Sequence, residues 1–183
     1  MKYMIASDIH GSAYYCKQLM DMYRAEKPDK LILLGDILYH GPRNDLPKEY
    51  NPKEVITMLN NIKDNIICVR GNCDSEVDQM VLDFPIMADY SILSIGDRTV
   101  FVTHGHKFNK SILPPMKEND ILLHGHTHVP VKERINDTNM MYINPGSVSI
   151  PKENSEHSYM IIEDNNLLWK NLEGKTYMDF NIG

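Results

Sequence analysis

MKYMIASDIHGSAYYCKQLMDMYRAEKPDKLILLGD, residues 1–36, is the stretch on which the fold turns. Tyr3–Ser7 is a short apolar run of strand type that breaks at Asp8-Ile9-His10-Gly11. Ser12 is placed to cap a helix running to about Glu26, with Leu19, Met20 and Tyr23 along one side, and Pro28-Asp29 stops it. Lys30–Leu34 is a second apolar run and ends in Gly35-Asp36. A strand, a helix and a second strand in this order predict parallel pairing through a crossover helix.

The pattern continues outward from there. Residues 39–52 are loop-like, with Gly41, Pro42 and Pro47, and Pro52 opens a helix to about Asn61. Ile66–Val69 reads as a third strand before Arg70-Gly71-Asn72-Cys73-Asp74, and Glu76–Asp83 as a short helix. After that the character changes. Ser91–Ile95 and Thr99–Thr103 flank Gly96-Asp97 as a hairpin, Ile121–Leu123, Val129–Ile135 and Met140–Ile143 follow, and Tyr159–Glu163 with Leu167–Asn171 forms a last hairpin. The expected shape is one domain over residues 1–183, an α/β fold of two packed sheets with helices outside.

Bulk properties narrow the function. The net charge of -6 argues against a stable nucleic-acid partner, which calls for a basic face. Cys16, Cys68 and Cys73 are an odd set with no framework spacing, which fits a reducing compartment. Met1 leads straight into the first strand, and no apolar run reaches the roughly 18 residues of a membrane span. The reading is a cytoplasmic protein with no membrane association.

The chemistry gathers at strand ends. Asp8 and His10 follow the first run, Asp36 the second and Asn72 the third; His104 follows Val100–Thr103, and His126 and His128 follow Ile121–Leu123. In an open α/β sheet these ends form the ligand crevice. Any one such residue is ordinarily a turn or cap. The set carries weight because His10-Gly11, Gly35-Asp36, Gly71-Asn72, His104-Gly105 and Gly125-His126 all pair a polar donor with glycine. Asp, His and Asn suit hard or borderline cations. Seven donors exceed the roughly four that one tetrahedral zinc takes, so two cations sharing Asp36 are expected. Such a pair clamps both oxygens of a phosphoryl displacement and turns a water between the ions into the nucleophile.

These residues resemble the calcineurin-like metallophosphoesterases, whose ordered pattern is DxH, GD, GN(H/C), H and GHxH. Tyr39-His40-Gly41-Pro42-Arg43-Asn44, Gly71 to Asp78 and Asn144-Pro145-Gly146-Ser147 are similar to the YfcE-type bacterial phosphodiesterase branch of that family. The resemblance implies the metallo-dependent phosphatase fold, a four-layer α/β/β/α sandwich with two mixed sheets. It implies Asp8, His10, Asp36 and His128 at one metal, and Asp36, Asn72, His104 and His126 at the other. Two divalent ions are implied, Mn first, with Fe, Zn, Ni or Mg as substitutes. A homodimer or homotetramer is the implied assembly.

The implied reaction is hydrolysis of a small phosphodiester, with Asp36, Asn72 and Cys73 as the catalytic candidates. Cys73 stands where many members carry His. A neutral thiol is a weak donor beside imidazole, so substrates with good leaving groups, such as aryl diesters, are expected. Asp74 and a metal-bound water are the alternative sources of the leaving-group proton, and a small wall residue with no catalytic part is the competing reading of Cys73. Arg43, His40, Cys73, Asn144 and Ser147 are the substrate-binding candidates; Arg43 can fork onto a phosphate oxygen. His106 and His124 are surplus to the metal count and read as supporting or surface groups, and His157 as surface. Two other functions compete: a phosphomonoesterase or nucleotidase on the same metal pair, and a non-catalytic scaffold of the same fold, which would have shed some of these donors.

Overall fold

The computed structural model describes all residues, Met1–Gly183. β1 (Lys2–Ala6), β2 (Lys30–Leu33) and β3 (Ile66–Cys68) pair in parallel, joined by α1 (Ala13–Glu26) and α2 (Pro52–Asn60). Ser12 caps α1 by accepting from Tyr15 N at 3.3 Å, and Lys27 closes it in the left-handed region at φ 50 before Pro28. Pro52 sits at the start of α2, where no amide donor is required. α3 (Glu76–Gln79) is a single turn set by a Ser75–Asp78 capping box.

The first sheet runs β11-β10-β9-β1-β2-β3, with β9 (Ser158–Glu163), β10 (Asn166–Asn171) and β11 (Thr176–Asn181) added antiparallel. The second sheet runs β4-β5-β6-β8-β7, from β4 (Tyr90–Ile95), β5 (Arg98–Thr103), β6 (Ile121–Leu123), β7 (Val131–Arg134) and β8 (Met141–Asn144). Within it β5, β6 and β8 are parallel, and β4 and β7 are antiparallel to their neighbours. Both sheets are mixed.

Strand alternation sorts the core into layers. Met4, Ala6, Leu31, Leu33 and Ile161 face the helices with Cys16, Leu19, Val55 and Leu59. Ile5, Ile32, Met160 and Ile162 point the other way and meet Val100, Val102, Ile121, Leu123 and Ile143 of the second sheet, with Trp169 fully buried among them. The outer face of the second sheet carries Phe101, Leu122 and Tyr142 beneath Leu113 and Met116. That fourth layer is irregular chain rather than the helix implied by the resemblance, because residues 104–120 carry Gly105, Pro114 and Pro115 and no helical period. β11 was not foreseen from sequence. It alternates half-buried and exposed residues at a sheet edge and lacks the apolar run of a core strand.

Candidate metal centre

The parallel strands of both sheets end on one rim. Asp8 N donates to Gly35 O at 3.1 Å and His10 N to Asp36 O at 2.9 Å, which zips the loops after β1 and β2 together. Gly125 N donates to His104 O at 2.8 Å and does the same for the loops after β5 and β6. Among the bonds that cross between the sheets are His104 Nδ1 to Leu34 O at 2.6 Å and His126 N to Asp8 Oδ2 at 3.2 Å.

The approach is close enough to demand glycine. A Cβ on Gly71 would lie 2.1 Å from Asp36 Oδ1, and one on Gly125 would lie 1.9 Å from Ser7 Oγ. The donor residues carry backbone strain themselves. Asp8 (φ 59), His10 (φ 49), Asp36 (φ 56), His126 (φ 67) and His128 (φ 62) all lie in the left-handed region, which costs roughly 1–3 kcal/mol for each non-glycine residue. Five of the twelve non-glycine residues in that region belong to this one donor set, which points to a functional geometry that the rest of the fold sustains.

His10 Nε2 lies 3.6 Å from Asp8 Oδ1 and 3.7 Å from Asp36 Oδ2; His128 Nε2 lies 3.3 Å from Asp8 Oδ1 and 3.3 Å from His10 Nε2. On the other side, His104 Nε2 lies 3.4 Å from Asp36 Oδ2 and 3.0 Å from Asn72 Oδ1. The rings of His104 and His126 have centroids 5.0 Å apart. Asp36 therefore faces both donor groups through one atom, Oδ2, while its Oδ1 accepts from Cys73 N at 2.8 Å. Asp8–His10–His128 and Asp8–Asp36–His104 each bring their donor atoms within 4.8 Å of one another, as a cation requires.

Three of the imidazoles are aimed by main-chain carbonyls. His10 Nδ1 sits 2.8 Å from Tyr39 O, His104 Nδ1 2.6 Å from Leu34 O, and His128 Nδ1 2.6 Å from Ile150 O. A proton held on Nδ1 leaves the Nε2 lone pair turned inward, the arrangement of metal-ligating histidines. Asp8 Oδ1 is buried with no hydrogen-bond partner, which fits a cation in its place.

Electrostatics agree. Burial works to raise the Asp8 carboxyl, but contact with His10 and His128 outweighs it and holds the group well below the usual carboxylate range. Asp36 is also lowered, chiefly by His104 against the opposing effect of burial. Burial disfavours a charge on His104, yet Asp36 and Asp8 prevail and push it up to about 9. Two buried carboxylates thus recruit positive charge, as protons or as metal.

A cleft of about 440 Å³ opens over this centre, lined by Asp36, Asn72, Cys73, His126, His128, Arg43 and Lys152 among others. Cys73 is half-buried, and burial together with the Asp36 charge pushes its thiol up, so it stays neutral. Lys152 was missed from sequence. It stands alone in a polar stretch, and long-range bonds bring it to the rim, from Lys152 N to His128 O at 3.2 Å and between His128 Nδ1 and Ile150 O at 2.6 Å.

Several expected substrate contacts lie elsewhere. Asn144 and Ser147 are fully buried. The Asn144 amide donates to Gly125 O at 2.8 Å and Thr127 Oγ1 at 3.0 Å, and Ser147 Oγ donates to Asp8 O at 3.0 Å, so both brace the loops that carry the donors. His40 is wedged edge-on between Tyr39 and Tyr50, at centroid distances of 4.8 and 5.2 Å, outside the cleft.

Asp74 is buried with both oxygens committed to main-chain amides: Oδ2 accepts from Asp36 N at 2.8 Å and Gly71 N at 2.7 Å, and Oδ1 from Ile37 N at 2.9 Å. It is a clamp and not a proton source. His124 is buried, stacked on Tyr142 at 3.8 Å, and lowered to about 4 by burial. His106, next to His104, is likewise lowered to about 4 by burial. His157 stacks on Tyr15 at 3.9 Å and is not a free surface group.

Fold and site together define a phosphoesterase, and residues 1–166 match the calcineurin-like phosphoesterase superfamily domain; the chain belongs to that family. Members bind divalent metal, and the donor clusters described above are suited to it. Phosphodiesterase YfcE of Escherichia coli K12 is 46% identical over 168 residues, 92% of this chain and 90% of the relative. The solved structure of E. coli YfcE, described as a phosphoesterase, superposes with a TM-score of 0.95 at 42% identity over 100% of both chains. Phosphodiesterase MJ0936 of Methanocaldococcus jannaschii is 28% identical over 155 residues, 80% of this chain and 83% of that one. No helix here is long and apolar enough to cross a membrane.

Proposed function

We propose that this chain hydrolyses small phosphodiesters with a pair of divalent cations, Mn serving best. Asp8, His10, Asp36 and His128 would hold one cation, and Asp36, Asn72, His104 and His126 the other. The observation that carries the reading is Asp36 Oδ2 lying between His10 Nε2 at 3.7 Å and His104 Nε2 at 3.4 Å, one oxygen between two donor sets. When bound, the cations supply electrophilic charge to the phosphate and acidity to a water.

The chain's own residues do the rest. Tyr39, Leu34 and Ile150 carbonyls keep three imidazoles in the ligating tautomer. Arg43 and Lys152 flank the cleft and orient the anionic oxygens. Cys73, neutral and a weak donor, gives little proton help, so the favoured ester has a leaving group that departs unaided. The likeness to the E. coli phosphodiesterase supports the diester class, and the free cysteines fit the reducing cytoplasm.

Arg43 and Lys152 in one cleft also favour a second reading, hydrolysis of monoester dianions. Rates on 4-nitrophenyl phosphate and bis(4-nitrophenyl) phosphate, measured with added Mn, separate the two. The diester should win at least tenfold, and Asp36→Asn should remove most of that activity. A faster monoester reaction overturns the diester reading, and a fully active Asp36→Asn variant overturns the shared-ligand site.

A further inference from the structure

Beyond Cys73 the polar cleft runs into a second hollow of a different kind. Cys73 lines both. The second hollow, about 430 Å³, is walled by Leu38, Tyr39, Tyr50, Pro52, Val77 and Val81 among others. These side chains are left open to solvent where burial would be expected: Tyr39 is 42% exposed, Val77 69% and Val81 43%. Its polar members are already occupied, since the Asp78 carboxylate accepts from Ser75 N at 2.8 Å and Ser75 Oγ at 2.9 Å. No Lys or Arg lines it.

We propose that this groove is the subsite for one ester substituent of the substrate, and that the substituent is a flat, uncharged aromatic group. The inference rests on the phosphodiesterase reading. Three observations carry it. The groove is continuous with the phosphate cleft at the small Cys73 side chain, so a group attached to a phosphate in the cleft reaches it directly. Its aromatic wall is built in advance: the Tyr50 ring packs so closely on Gly11 that a Cβ there would lie 2.6 Å from Tyr50 Cε2, and His40 locks Tyr50 to Tyr39 edge-on. Rigid rings of this kind favour a stacked or edge-on aromatic guest. Finally, the lack of any cation excludes a second phosphate, so a nucleic-acid strand continuing through the groove does not fit.

The test compares two monoanions in which P–C bonds replace the ester bonds, dimethylphosphinate and methyl(phenyl)phosphinate, as competitive inhibitors of the Mn-loaded enzyme acting on bis(4-nitrophenyl) phosphate. Direct calorimetric titration of the same compounds gives a second reading of affinity. Covering half of a phenyl ring suffices for about a tenfold gain. Wild type should bind the phenyl compound at least tenfold more tightly than the methyl one. Val81→Glu, or separately Val77→Glu, should cut that ratio to about twofold or less while leaving the methyl compound's inhibition constant unchanged, which also reports an intact fold.

A phenyl preference that survives in both variants overturns the subsite, as does equal binding of the two compounds by wild type. So does a wild-type dimer that Val81→Glu converts to a monomer, since the groove would then be covered by a second copy. Failure of the diester reading is distinct, because it shows as faster hydrolysis of 4-nitrophenyl phosphate than of the assay diester, or as no Mn-dependent hydrolysis of that diester by wild type, whatever the calorimetric ratio.

Discussion

Asp74→Asn isolates what the clamp beneath the metal centre does. The side chain reaches three amides from two oxygens, across the loops after β2 and β3. In the Asn variant one of those atoms becomes an NH2 that faces an N–H donor. The less costly orientation places it at the Oδ1 position, sacrificing the Ile37 bond and keeping those to Asp36 and Gly71. One buried unpaired amide costs about 1–3 kcal/mol. Part of that is returned because removing the charge relieves the burial and Asp36 repulsion that raise the Asp74 carboxyl. A net loss of about 2 kcal/mol corresponds to about 4–8 °C for a chain of this size.

The loop that shifts carries Asp36, so Mn affinity should fall about 10–100-fold, the usual range for a group that supports metal ligands. Melting curves of the apo protein and Mn titration of the activity measure both quantities. A third measurement decides between clamp and proton donor: log kcat/KM against leaving-group acidity over a series of substituted aryl diesters. The clamp predicts an unchanged slope. An unaltered melting point and Mn affinity together with a steeper slope would refute the geometry.

Three other outcomes follow from the structure. Lys152→Ala removes an exposed cation from the cleft and should raise KM about 3–5-fold with the melting point held within about 2 °C, an effect of the size seen for exposed charge contacts. Mn binding should release about one proton at pH 7.5, because His104 is pushed up to about 9 in the metal-free protein and must be neutral to ligate; calorimetry in buffers of different ionisation enthalpy should show the release, and it should vanish above that pH. Glu26, on the opposite side of the fold, accepts from Lys2 Nζ at 2.9 Å and from Lys170 Nζ; these bonds overcome burial and lower its carboxyl. A depressed acid stabilises above its unfolded value and loses that contribution as pH falls through the folded one. Glu26→Gln should therefore cost about 1–3 kcal/mol in urea unfolding at pH 7, with the gap closing below the usual carboxylate range.

Much of this was legible in the chain. The β1–α1–β2 unit announced itself through two apolar runs, a Ser cap and a Pro stop, all local signals. The donor set was legible because every member follows a strand and five of the seven, His10, Asp36, Asn72, His104 and His126, abut glycine. Other features were set by tertiary packing. Asn144 and Ser147 look like exposed turn residues in sequence, and long-range contacts bury them, Asn144 against Gly125 and Trp169 and Ser147 against Asp8. Lys152 carries no local mark at all. Residues 104–120 cover a sheet face without a regular element, so periodicity had nothing to report. That Asp36 meets both donor groups through a single oxygen depends on the Cys73 amide holding the other, a contact 37 positions away in the chain.

The partners that fix the histidines are peptide oxygens of Leu34, Tyr39 and Ile150. No side-chain replacement deletes such an acceptor. Mutational drift can therefore strip this protein of its ligands one at a time while the cradle that oriented them persists. The same property makes the scaffold forgiving of redesign, since a new donor placed at position 10, 104 or 128 inherits a fixed anchor.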